Sequence, residues 1–357
     1  FGVTLTIGVA ASLFTALVVT RLIFDFLLDR NWLKSLGMFH LIRATNVNFM
    51  GVARPLFIIT WAFVVLSLGF GFYRGSQMFG VDFRGGDSTT FSFAQRVDEK
   101  DIRAALAGIG INENDAQIQY QKDVAGNTEN LRVTTSINTA EKVNRALAEK
   151  FPLAKLKPVV TKTVGGTVGA DVRNSAIIAS LLALFGILVY VAFRYEFSFA
   201  VGAIVGVVHD VFLTIGCYCI ASGFSGRQFN TTVVAAVLTI IGFSINDKVV
   251  IFDRIREDLK LGMRGTFKEV INAALNQTLS RTIITSGTVF IATGCLYGLG
   301  GGAINDFAFT FLIGIITGTY SSIFISSAFV LWWHKGQRPN IGASAVTMQN
   351  ATTATKA

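Results

Sequence analysis

This 357-residue chain is short of charge. Asp, Glu, Lys and Arg make up 15% of it against 52% hydrophobic residues, and the mean hydropathy is +0.54. That balance excludes an ordinary soluble domain, in which about a quarter of the residues are charged. Histidine (3), cysteine (3) and proline (4) are as scarce. Cys217, Cys219 and Cys295 all fall in apolar stretches with no ligand set beside them, so they read as small buried hydrophobes and not as a metal site. No nucleophile–base pair and no phosphate-cradling glycine loop is visible, which points away from an enzyme and from a cofactor. The net charge of +9 reads as loop charge facing anionic membrane lipid, not as a nucleic-acid patch. Phe1 opens inside a hydrophobic run with no basic region before it. There is thus no signal peptide to read, and the chain has the look of a piece of a longer protein whose earlier helices are missing.

What the chain has is long apolar runs. Those near 2–28, 55–76, 174–193, 198–221, 231–252, 279–299 and 306–333 can each cross a hydrocarbon layer of ~30 Å, which takes about 20 helical residues. Glycine (35) lets such helices approach closely and phenylalanine (31) can face lipid. Positive charge is concentrated in the linker 29–54 (Arg30, Lys34, Arg43, Arg54), in the loop 253–278 (Arg254, Arg256, Lys260, Arg264, Lys268) and in the tail 335–357 (Lys335, Arg338). The positive-inside rule puts these three in the cytoplasm and leaves residues 77–173 outside.

That outer segment predicts a small α+β domain. Strands are expected at 89–94, 116–121, 130–136 and 156–163, and helices at 98–107 and 140–149, with a hairpin turn at 123–127. The order βαββαβ is the ferredoxin-like unit. The fold class is therefore an α-helical polytopic membrane protein of about seven transmembrane helices with one ferredoxin-like external domain. Its parts are helix 1–28, linker 29–54, helix 55–76, domain 77–173, a five-helix bundle 174–334 and the tail, whose end at 344–357 reads as disordered.

The sharpest local feature is Asp247, deep in the apolar run 231–252, with Arg281 opening the next run beyond the charged loop. A carboxylate in hydrocarbon is costly and marks an ion path or a structural ion pair with Lys248 or Arg281. Ser244 stands near it on the same helix. Gln277, Arg281 and Thr285 share one face of the following helix, and Thr278, Thr282 and Ser286 share the adjacent one. These hydroxyls either relay protons through water or glue helices together. His209-Asp210 is a second intramembrane polar spot; adjacent residues point ~100° apart, so the two do not form one bidentate site. It is either a satisfied contact between helices or a secondary proton group. Asp82, Gly85 and Gly86 stand where the chain leaves the membrane, as a hinge or as a plain turn with Asp82 exposed. Gly314 and Gly318 suit close helix packing. The amphipathic stretch 266–277, with Phe267, Val270, Ile271 and Leu275 on one face, is expected to lie along the cytoplasmic surface.

Several ordered motifs carry a resemblance. Val81-Asp-Phe-Arg-Gly-Gly86, Val164-Gly-Gly-Thr-Val-Gly169 and His209-Asp-Val211 are three of them. Gly242-Phe-Ser-Ile-Asn-Asp-Lys-Val-Val-Ile-Phe-Asp-Arg-Ile-Arg-Glu257 and Asn276-Gln-Thr-Leu-Ser-Arg-Thr-Ile-Ile-Thr-Ser-Gly287 are the most specific. Together they resemble the SecD/SecF protein-export family of the resistance-nodulation-division superfamily. Residues 55–334 look like the SecF half, and residues 1–28 resemble the last helix of the SecD half of a fused chain. The resemblance implies an auxiliary subunit that draws unfolded preproteins outward with the proton or sodium motive force. It implies as partners the SecYEG channel, SecA, YajC, YidC and the SecD half of the same polypeptide. It also implies that Asp247 and Arg281 belong to the ion-coupling site, with H⁺ or Na⁺ as the only ligand. An aspartate in the SecD half completes that path in the family, and its helix is not in this chain. A non-transporting translocon scaffold and a small-molecule or lipid exporter of the same superfamily are the other readings.

Overall fold

Each apolar run folds as one helix, usually longer at its ends than the run itself. The computed structural model describes residues 2–32, 45–111, 116–123 and 128–339. The centre of the linker, the hairpin turn at 124–127 and the tail from 340 lie outside them. The chain divides into two units, Phe1–Arg43 and Ala44–Ala357. The first consists of helix α1 (Gly2–Asp29), with a π-helical turn at Thr15–Val19.

In the second unit α2 (Phe49–Arg74) leads through the short helix α3 (Val81–Arg84) into the α+β domain. The domain runs β1 (Gly86–Ser92), α4 (Glu99–Ala107), β2 (Gln117–Asp123), β3 (Thr128–Thr135), α5 (Ala140–Lys150) and β4 (Lys157–Val164). The chain then returns to the membrane as α6 (Gly166–Arg194), α7 (Phe197–Ser225), α8 (Thr231–Lys260), α9 (Phe267–Leu299) and α10 (Gly302–Trp333). Among the described residues, seven helices are thus long and apolar enough to cross a membrane.

The sheet order is β2-β3-β1-β4 with every neighbour antiparallel, the ferredoxin-like arrangement expected from the element order. Asp98 caps α4 by accepting from the Lys100 amide. The spacing of Ile102 and Leu106 on α4 and of Val143 and Leu147 on α5 turns them onto Phe91, Leu131 and Val133 of the sheet.

Two expectations fail at α9. The stretch 266–277 is not a surface helix but the first three turns of α9, and Arg281 does not open that helix. Thr266 and Glu269 form a reciprocal capping box that starts α9 at Phe267. Arg281 therefore stands 14 residues in, about 21 Å along the axis. Phe267, Ile271 and Leu275 bury against Phe199 and Phe252 of α7 and α8, so their apolar face meets protein instead of lipid headgroups. Asn272 and Asn276 on the same turns bind the start of α2 and the chain before it: Asn272 accepts from the Met50 amide, Asn276 from the Val47 amide and the Thr45 hydroxyl.

Among the cysteines, Cys219 is buried, Cys217 half-buried and Cys295 exposed, so the buried reading holds for one position and fails for Cys295 on α9. Gly314 does pack closely: a Cβ there would lie 2.2 Å from the Ile240 side chain.

Asp82 is not exposed at a turn; it is the joint between domain and bundle. Lys162 on β4 donates to Oδ1, while the amide and hydroxyl of Thr231, at the start of α8, both donate to Oδ2. Gly85 and Gly86 have φ of +79° and +132°, and a Cβ on Gly86 would sit 2.5 Å from the Thr135 carbonyl oxygen, so only glycine lets α3 seat against β3. Burial alone would raise the Asp82 carboxyl, but the hydrogen bonds from Lys162 and Thr231 outweigh it and hold the group below its ordinary value. A lowered folded-state value means the joint stabilises fully above the unfolded carboxyl's range and is lost as pH falls through the folded value. Asp82→Ala should lower the unfolding midpoint at neutral pH by an amount equivalent to about 1–2 kcal/mol. The gap between variant and parent should close below about pH 4, as thermal scans across pH would read.

Candidate functional site

Asp247 and Lys248 are neighbours on α8, and their side chains leave the helix ~100° apart, toward different partners. Lys248 turns to α7 and α10. Its Nζ donates to Asp210 Oδ2 at 2.9 Å, to Ser321 Oγ at 2.9 Å and to Ser244 Oγ at 2.5 Å. Ser244 and Ser321 donate in turn to the same Asp210 oxygen, at 2.5 and 2.6 Å. His209 Nδ1 lies 3.2 Å from the other oxygen, so the adjacent His209 and Asp210 side chains touch each other. Asp210, Lys248 and His209 are each 0% exposed.

Glycine makes room for this array. A Cβ on Gly206, one turn before Asp210, would lie 2.4 Å from Lys248 Cε. Just past Ser321 the last helix loosens into a π-helical turn, Ser322–Ser326. On the far side of His209 the Trp61 ring packs edge-on, centroids 5.4 Å apart. His209 Nε2 and Trp61 Nε1 are both buried without a hydrogen-bond partner.

Asp247 turns the other way, to α9 and α10. Ser286 donates to its Oδ2 at 3.3 Å, and Thr319 donates to Ser286 at 2.8 Å. Asp247 is 4% exposed. Of the two polar faces of α9, the one carrying Thr278, Thr282 and Ser286 is buried, and the Thr282 hydroxyl there has no partner. The other face makes no hydrogen bond to the acid: Gln277 accepts from Arg254, Thr285 is half-buried, and Arg281 is exposed with no ion pair to Asp247 among the described residues, its charge acting on the acid only at longer range. Ser244 likewise serves Asp210 rather than Asp247.

The structure thus separates what lay together in the sequence. Asp247 meets Ser286 and Thr319, whereas Lys248, Ser244, His209 and Asp210 form an array of their own. Ser321 and Thr319 went unnoticed in the sequence; a lysine in an apolar run was the available signal that a second buried acid had to face it. No group of three or more His, Cys, Asp or Glu side chains able to hold a metal occurs among the described residues.

The comparisons agree with this architecture. Residues 129–336 match the model of the protein export membrane protein SecD/SecF C-terminal family. The chain belongs to the SecD/SecF family. It is 36% identical over 354 residues to the protein translocase subunit SecDF of Thermus thermophilus, covering 97% of this chain and 46% of that one. It is 41% identical over 295 residues to the SecF subunit of Calditerrivibrio nitroreducens, covering 80% of this chain and 93% of that one. The crystal structure of Thermus SecDF, described as a translocon-associated membrane protein, superposes with a TM-score of 0.80 at 36% identity over 93% of this chain and 44% of that one. The chain spans about half the length of the SecDF proteins and most of a separate SecF. It is a multi-pass membrane protein.

The buried array carries a stability prediction. Lys248→Met leaves the buried Asp210 without its cationic partner, which costs about 3–5 kcal/mol, whereas pairing that change with Asp210→Asn should recover most of the loss. The yield of monodisperse protein and its thermal midpoint in detergent measure both, and equal losses in single and double variants would contradict the pairing.

Proposed function

We propose that this chain is the SecF-type part of an ion-driven auxiliary of the Sec export machinery, with Asp247 as its coupling carboxylate. One observation carries the reading. Asp247 is buried in a membrane helix with the Ser286 hydroxyl as its hydrogen-bond partner, while the neighbouring lysine is fully committed to another acid. A carboxylate held by Ser286 instead of by a cation can take up and release a proton or a sodium ion; one locked to a lysine would not.

In its ionised form Asp247 draws the Ser286 hydroxyl of α9 toward α8, and Thr319 of α10 follows through Ser286. Neutralising the acid weakens that tie and lets α9 and α10 repack against α8. This is a two-state element whose balance an ion gradient can bias. Arg281, mid-helix and turned outward, needs a polar partner if it is not to face lipid, and a SecD-like half of the complete protein would supply one. The second acid of the family's ion path belongs to that half.

In the proposed setting the α+β domain is outside the inner membrane and meets preprotein. The loop between α8 and α9 and the end of α10 are in the cytoplasm, and the SecYEG channel, SecA, YajC and YidC are the neighbours. Preprotein translocation into membrane vesicles carrying the complete protein, with and without an imposed ion gradient, tests the reading. Asp247→Asn should reduce export to the no-gradient level while leaving translocon association intact. Gradient-stimulated export that survives in the variant would make the carboxylate structural and favour the scaffold reading.

A further inference from the structure

The domain-side ends of α2 and α7 meet the α+β domain across a polar cleft of about 550 Å³, lined by Arg74, Arg96, Arg103, Tyr120 and Arg227 among others. Three of these four guanidinium groups have a carboxylate: Arg96 is 3.3 Å from Glu129, Arg103 is 2.6 Å from Glu99, and Arg227 is 2.6 Å from Asp306. Arg74, the last residue of α2, has no ion pair among the described residues, and its Nη1 is buried without a hydrogen-bond partner. A buried guanidinium nitrogen left unpaired is costly, and the chemistry that relieves it is an anionic oxygen.

Arg74 also borders a second cavity of about 390 Å³, shared with Phe70, Tyr73 and Gly223. It therefore stands between a polar space beside the domain and a space flanked by aromatic side chains of a membrane helix. Phe72, Tyr73 and Phe224 around it are 87%, 88% and 89% exposed, an aromatic fringe of the kind that sits at headgroup level. Polar cleft, lone cation and apolar flank follow one another in the order of a phospholipid's headgroup, phosphate and acyl chain.

We propose that Arg74 anchors the phosphate of a phospholipid at this joint, with the headgroup in the cleft beneath the α+β domain and the acyl chains along Phe70 of α2. Lipid thereby becomes part of the seam between domain and bundle. The site is independent of Asp247 and of ion coupling.

The test uses the full-length protein, purified in detergent and stripped of lipid. It is titrated with short-chain phosphatidylglycerol, with the matching diacylglycerol that lacks phosphate, and with inorganic phosphate as competitor. Phosphatidylglycerol should bind about tenfold more tightly than diacylglycerol and resist displacement by inorganic phosphate. Arg74→Gln should weaken its binding about tenfold, Arg74→Lys less, and Arg54→Gln at the far end of α2 should leave it unchanged. If Arg74→Gln elutes aggregated, the Arg74→Lys and diacylglycerol arms decide. Undiminished lipid binding by a well-folded Arg74→Gln protein, or equal binding of diacylglycerol, overturns the proposal. So does displacement of the lipid by free phosphate or by an acidic peptide, which would assign the cleft to a free anion or to a polypeptide.

Discussion

A lysine and an aspartate that share a fully buried site are the constraint around which the bundle is arranged. Burying two charges costs several kcal/mol for each, and their attraction repays this only when every donor and lone pair is used. Lys248 has three ammonium hydrogens and three side-chain acceptors, in Asp210, Ser321 and Ser244. The contact brings three helices to a fixed depth. Gly206 leaves the space that the lysine stem occupies, and Ser321 stands immediately before the π-helical turn. Because Lys248 is saturated there, the neighbouring Asp247 has Ser286 for a partner and not a cation. The unusual state of one acid follows from the full satisfaction of the other.

Helix α8 joins this chemistry to the α+β domain. Thr231 at its start is bonded to Asp82, which is also held by Lys162 of β4, and Asp247 lies 16 residues along, about 24 Å at the helical rise. One rigid element thus carries a carboxylate contact at the domain joint and a carboxylate in the membrane. A second tie runs through Arg227 of the loop before α8, which donates to Asn305 and Asp306 at the start of α10, so α10, one of the two helices that face Asp247, is fastened at the same end as the start of α8. Movement of α8 would reach the domain through the Asp82 joint.

Much of this was legible in the sequence, for physical reasons. The membrane helices followed from runs of apolar residues too long for any other use, and the ferredoxin-like order followed from alternation and helical spacing between turn residues. The failures share a cause. Charge in 253–278 suggested a loop, although Thr266 and Glu269 already spelled a capping box, so the start of α9 and the depth of Arg281 were misplaced. The partnership of Asp210 with Lys248 spans 38 residues and two helices, and periodicity reports which face a residue is on, not which helix that face will meet. Lys248 stood as a candidate partner of Asp247 because nothing in the sequence says that helices pack on both sides of α8.

The central claim is that the charge state of Asp247 sets the packing of α9 and, through α8, the position of the domain. Spin labels report this directly. One is placed on the exposed Cys295 of α9 and one at an introduced Ser136→Cys on the domain, with Cys217 and Cys219 replaced by serine and the complete protein in lipid vesicles. Pulsed electron-resonance distances recorded across pH should show two populations whose balance shifts with pH in the parent and is frozen in Asp247→Asn. A distribution that ignores pH in the parent, or one that shifts equally in the Asn variant, would contradict the account.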